Sequence, residues 1–200
     1  MTDRVDPRGR SEQPGIVSLH CFSSGPYYDP DNLSFGPVVG VDEHRVEPGA
    51  GFSWHAHRGV QIASWVLEGT LRHEDSNGEV RFVAPGRFLV QSTGDGIRHQ
   101  ETNASGTEPL RFLQITVLGE AQAGVELVKP PATVGPATVD IRRSFARRFP
   151  AFVLVLRGTF ADQDGERLGP GAARRLDRSE AANAFDADGD ALALVLELDD

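Results

Sequence analysis

The chain has 200 residues, and 20 Lys plus Arg against 29 Asp plus Glu give it a formal charge of −9. A net negative surface argues against nucleic-acid and anionic-membrane partners, which need a basic face. A composition of 39% hydrophobic and 24% charged residues is globular, with enough chain for one large domain or two small ones.

Residues 1–14 read as a polar tail without the apolar core of a secretion signal. With a single cysteine, Cys21, no intrachain disulfide is possible. Both features lead to the expectation of a reducing, cytoplasmic setting. From Ile16 onward, short apolar runs alternate with turn residues. Val38–Arg45, Ser64–Arg72, Val80–Val83, Phe88–Gln91 and Leu110–Leu118 read as strands. Pro48-Gly49, Asn77-Gly78, Pro85-Gly86 and Gly94-Asp95-Gly96 separate them. Asn77-Gly78 is the strongest hairpin signal, because a tight hairpin turn needs positive φ. With 22 Gly and 13 Pro spread along the chain, and no apolar run long enough to span a bilayer, an all-β architecture is expected.

The stretch 119–136 holds Pro130, Pro131 and Pro136 with three glycines, and reads as a linker. Beyond it the sequence partly repeats. WVLEGTLRHEDSNGEVRFVAPGRFL from Trp65 and LVLRGTFADQDGERLGPGAARRL from Leu154 share one order: strand, Gly-Thr, strand, Gly hairpin, strand, Pro-Gly turn. Two domains are expected, 15–120 and 121–200. Arg142, Arg143, Arg147 and Arg148 form a local basic cluster, expected to be a solvated, ion-paired face.

All six histidines lie at or before position 99. His55-Ala56-His57 on a strand would point both rings to one face, and His99-Gln100-Glu101 has the same spacing. Two such pairs on neighbouring strands would converge as three imidazoles and one carboxylate. That donor set suits Fe(II), Mn(II), Ni(II), Cu(II) or Zn(II), and the absence of thiolates argues against a structural zinc. His73 beside Glu74 and Asp75 reads as a solvated surface residue. His20 and His44 have no partner two residues away and read as structural. The offsets that place His55, His57, His99 and Glu101 around Gly69 and Gly86 land on Ser144, Ala146, Ala184 and Asp186 around Gly158 and Gly171. The second half is therefore expected to bind no metal, with one ion per chain.

GFSWHAHRGVQIASWVLEGTLRHEDSNG, VAPGRF and TGDGIRHQE resemble the metal-binding half of the pirin family in the cupin superfamily. The resemblance covers about residues 30–120. It implies a bicupin, two jelly-roll β-barrels of which only the first holds metal. It also implies metal ligands at His55, His57, His99 and Glu101, with iron the first expectation. Two positions depart from the family pattern. Gln61 stands where an acidic residue is frequent, and Trp54 where a small or acidic one is usual.

Bacterial members of the family include quercetin 2,3-dioxygenases. The resemblance thus implies a metal-dependent dioxygenase that takes a flavonol-like, catecholic or enolisable aromatic together with O₂. Glu101 would be both ligand and catalytic base. Phe52, Trp54, Gln61, Phe88 and Phe112 are the candidate substrate-pocket residues, with core packing favoured for Phe88 and Phe112. A monomer without nucleic-acid or membrane partners is expected. The alternative is a non-enzymatic metal-bound redox sensor or regulator, like the family's iron-containing nuclear members.

Overall fold

The computed structural model describes residues 8–119, 121–145, 150–162, 165–176 and 185–198. Among these the secondary structure is all-β, with no helix. The chain divides into two compact units, one of Gly9–Pro130 and one in which Arg8 joins the residues from Pro131 onward.

The first unit runs from Gly9 to Pro130. Its strands are β1 (Gly9–Gln13), β2 (Ile16–His20), β3 (Val38–Val46), β4 (Gly51–His57), β5 (Val60–Glu68), β6 (Leu71–Asp75), β7 (Val80–Val83), β8 (Phe88–Ser92), β9 (Ile97–Asn103), β10 (Leu110–Leu118) and β11 (Gly124–Val128). They form a seven-stranded sheet, β1-β2-β3-β10-β5-β8-β11, and a four-stranded sheet, β4-β9-β6-β7. Ile16, Val46, Val66, Leu89, Leu110 and Phe112 from the larger sheet share one core cluster with Leu71 and Val83 from the smaller. The core therefore lies between the sheets, as in a sandwich or jelly roll.

The segment expected as one strand, Ser64–Arg72, is broken at Gly69. Its φ of 79° is a left-handed conformation that ends β5, and the chain then joins the other sheet as β6. The next hairpin closes at Asn77-Gly78, where Gly78 has φ 86°. Asp75 Oδ1 accepts the backbone N–H groups of Asn77 and Glu79 at 2.9 and 3.1 Å and braces the turn.

The second unit carries β12 (Ala132–Val134), β13 (Ala137–Arg142), β14 (Ser144–Phe145), β15 (Ala151–Asp162), β16 (Arg167–Leu168), β17 (Ala173–Leu176) and β18 (Phe185–Leu198). The path β12-β13-β18-β15-β16 builds its sheet, with β14 on β18 and β17 on β15. Val153, Val155, Phe160, Phe185 and Val195 form its core with their neighbours. The glycine landmarks repeat in conformation. Gly158, Gly165 and Gly171 have φ of 67°, 83° and 87°, matching positive values at Gly69, Gly78 and Gly86.

The stretch 119–136 is more than a linker, since it carries β11 and β12. β11 pairs along β8 and completes the first sheet. Arg142 is paired with Asp140 and Glu197, and Arg143 with Asp190. Arg147 and Arg148 lie outside the described residues.

Candidate metal centre

β4 and β9 pair antiparallel with His55 opposite His99 and Phe52 opposite Glu101. The four residues 52–55 of β4 therefore span the three residues 99–101 of β9. The extra residue is a bulge, and it changes which positions of β4 face inward. Phe52, His55 and His57 thus line the same cavity, although Phe52 and His55 are an odd number of residues apart. Trp54, adjacent to His55, projects the other way. It is 39% exposed, with the Arg98 guanidinium 6.0 Å from its ring centre.

His55, His57 and His99 bring one ring nitrogen each to within 4.8 Å of one another. Their ring centroids are 4.3 to 4.9 Å apart. His55 Nε2 and His99 Nε2 approach to 2.8 Å. Two nitrogens each about 2.1 Å from one ion and at right angles would be about 3 Å apart, so this spacing fits a shared ion. His55 Nδ1–H donates to the carbonyl of Ser53 at 2.7 Å, which fixes the tautomer and leaves Nε2 as a lone-pair donor. His57 Nε2 is buried without a hydrogen bond, as are Nδ1 of His99 and of His73. Buried nitrogens without a proton donor are costly, and neutral imidazoles beside a carboxylate are a transition-metal donor set. The residues fit a divalent ion.

Electrostatics point the same way. Burial, then the neighbouring His55, His57 and His73, push His99 down to about 2. Burial and His55 lower His57. Both shifts favour the neutral ring, the form that binds a metal.

Glu101 is 2% exposed and held at both oxygens. Ser64 Oγ–H donates to Oε1 at 3.3 Å, and Gln114 Nε2–H to Oε2 at 2.7 Å. Glu101 joins a second close set, with His73 and His99, so the two sets share His99. His73 corrects its sequence reading: it is fully buried, not solvated. β6 alternates, with Leu71, His73 and Asp75 inward and Arg72 and Glu74 outward. His73 also lies opposite Glu101 in the β6–β9 register. Strand alternation anchored on Leu71 was the available signal. Burial lowers its pKa against the opposing pull of Glu101 and Asp75.

His55 and His57 face a cavity of about 270 Å³. Of the five candidate pocket residues, Phe52 lines it with His55, His57, Glu101 and Gln114. Gln61 lies elsewhere, donating Nε2–H to Ser92 Oγ at 2.9 Å. Phe88 is fully buried against Trp65, with ring centroids 4.7 Å apart. Phe112 is fully buried behind Phe52, centroids 6.5 Å apart. His20 and His44 are buried and also border the cavity, which their lack of a nearby histidine partner in sequence did not reveal.

The counterpart positions of the second unit differ. Ser144 stands opposite Asp186, while Ala146 and Ala184 lie outside the described residues. Among the described residues, neither cluster with metal-ligating geometry lies in that unit.

Comparisons with known proteins place this geometry in a family. The Pirin family model matches residues 4–117. A quercetin 2,3-dioxygenase of Escherichia coli K12 is 38% identical over 117 residues, 58% of this chain and 51% of that protein. The chain spans about half the length of the curated relatives it matches. YhhW from Escherichia coli superposes with a TM-score of 0.89 at 25% identity, covering 99% of this chain and 97% of that one. The bacterial pirin YhhW in complex with nickel(II) gives 0.88 at 24% identity, over 100% and 98%. The fold is that of a bicupin, and the chain belongs to the Pirin family.

Proposed function

We propose that this protein is a metal-dependent dioxygenase of the quercetin 2,3-dioxygenase type, acting on a flavonol-like aromatic with O₂. The observation that carries the reading is the convergence of His55, His57 and His99 beside buried Glu101, with His55, His57 and Glu101 lining one cavity. The named activity of the Escherichia coli relative supports it. The nickel bound to YhhW supports a divalent first-row ion. Iron is the first candidate, with Mn, Ni, Cu and Zn admitted by the same donors.

His55, His57, His99 and Glu101 would hold the ion. When bound, it would supply Lewis acidity that makes a substrate hydroxyl easier to ionise. Glu101 accepts the hydroxyl proton at a carboxylate oxygen, which makes the aromatic electron-rich toward O₂. Gln114 and Ser64 keep that carboxylate aimed at the site. Phe52 supplies an apolar wall beside the reacting ring.

Oxygen uptake by metal-loaded protein with a panel of flavonols and catechols tests this. Uptake that matches substrate loss and stops with a chelator is the expected result. One bound ion per chain with no turnover of any flavonol would overturn the enzymatic reading and favour a regulatory one.

A further inference from the structure

Three neighbouring strands bring a serine, a histidine and an aspartate into line. His20 of β2 lies opposite Asp42 of β3. Across β1, His20 faces Gly9, and Ser11 is two residues along on the same face. Ser11 Oγ is 2.7 Å from His20 Nε2, and His20 Nδ1 is 2.7 Å from Asp42 Oδ1. A carboxylate only accepts, so Nδ1 carries the proton and Nε2 the lone pair. The Ser11 hydroxyl therefore donates to Nε2. This is the connectivity of a serine nucleophile, its general base and the carboxylate that orients the base.

The surroundings hold that line in place. Asp42 and His20 are buried, whereas Ser11 is only partly so, which leaves the hydroxyl as the accessible end. The Tyr27 ring stacks on His20 with centroids 6.0 Å apart and planes within 10°. It lies over Gly9, where a Cβ would meet the ring at 2.3 Å, so Gly9 makes room for it. Ser11, His20 and Asp42 border the same cavity as Phe52. None of the three belongs to either metal-ligating cluster.

We infer that Ser11 is a nucleophile activated by His20 and Asp42, and that this wall of the cavity hydrolyses small aryl esters. Ser11 Oγ bonds to the ester carbonyl carbon while its proton passes to His20 Nε2. The carbon–oxygen bond to the phenol breaks, and the phenol leaves with that proton. Water then attacks the acyl-serine and gives a proton to His20. The carboxylic acid departs as Ser11 regains its hydrogen. No oxidant or reductant is needed, and no step draws on a residue of either metal-ligating cluster, so hydrolysis should survive treatment with a chelator. The cavity, at about 270 Å³, suits a short acyl group, and Phe52 offers a face to an aryl ring.

A merely structural Ser11 would give the same distances but no chemistry. The native chain is treated with an alkyl fluorophosphonate in the presence of chelator, and the adduct is located by mass spectrometry. Hydrolysis of 4-nitrophenyl acetate is followed alongside. The expected result is one adduct per chain, on Ser11, absent from the urea-unfolded chain and from Ser11→Ala. Labelling and hydrolysis should slow by about 100-fold or more in His20→Gln. Ser11→Cys, which keeps the volume of the strand, should gain rapid iodoacetamide reactivity at position 11. No adduct on Ser11, equal labelling of the unfolded chain, or hydrolysis unchanged in Ser11→Ala would overturn the proposal.

Discussion

Glu101 is the residue on which the proposed chemistry turns. Its oxygens accept from Ser64 and Gln114, so replacing it changes charge and basicity before it changes packing. Glu101→Gln should retain much of the metal, because an amide oxygen still coordinates beside three imidazoles. It should lose about 10²- to 10⁴-fold in turnover, because an amide accepts no proton. Metal content and kcat measured on the same samples check this; near-normal values of both would make Glu101 a bystander. His44 gives a separate test. Burial first, with His20 opposing the pull of Asp42 and Glu43, pushes it down to about 4. Its Nδ1 meets Ser18 Oγ at 2.8 Å, and its Nε2 is buried without a partner. Below the ordinary imidazole pKa of about 6.5 the unfolded chain binds this proton and the folded chain does not, so stability falls as pH drops from there toward 4. Urea unfolding of metal-free protein should lose about 1.4 kcal/mol per pH unit from this one ring. His44→Gln should flatten the slope by that amount. The pairs His55/His57 and His99/Glu101 were legible in the sequence because each is two residues apart, the period of a strand. His73 was not, because Glu74 and Asp75 suggest a polar face although only Glu74 turns outward.

At the scale of elements, the turns carry the information. Gly69 and Gly78 both have positive φ, but a Cβ at Gly69 would lie 2.5 Å from the Pro109 carbonyl oxygen, whereas one at Gly78 meets nothing within 4 Å. Gly78→Ala should cost about 1 kcal/mol from the backbone conformation alone, and Gly69→Ala at least about 1 kcal/mol more, because backbone must move. Denaturant midpoints of the two variants check the order, and equal losses would contradict it. Gly158 repeats the constraint against Ala191, whose Cα would lie 2.6 Å from an added Cβ. That likeness was visible as a matching order of Gly landmarks. The bulge in β4 was not visible, since nothing in Phe52-Ser53-Trp54-His55 distinguishes a slipped register from a regular strand. For this reason Phe52 faces the cavity. The strand β11 was hidden too: Pro130 and Pro131 mark the division between the units, yet Gly124–Val128 pairs with β8 before it is reached.

At the scale of the whole molecule, each unit has an apolar core of its own, and neither core cluster includes a candidate metal ligand. Metal binding should therefore add to stability without being required for folding, unlike a small zinc module. Chelator-treated protein should keep a β-type circular dichroism spectrum at room temperature and melt at a lower temperature than the loaded form. The confinement of His to the first half of the sequence is what leads to the expectation that only the first unit binds metal. The pocket was legible only in part: core packing was already the favoured reading of Phe88 and Phe112, whereas Gln61 is placed away from the cavity by tertiary packing that strand periodicity does not encode. The central claim is that one ion is held in the first unit by the converging histidines. Equilibrium dialysis against a divalent first-row metal, with wild type beside the double variant His55→Ala/His57→Ala, measures it most directly. Close to one ion per chain in the wild type and almost none in the double variant is the predicted result. Close to two ions per chain, or an undiminished one in the double variant, would contradict it.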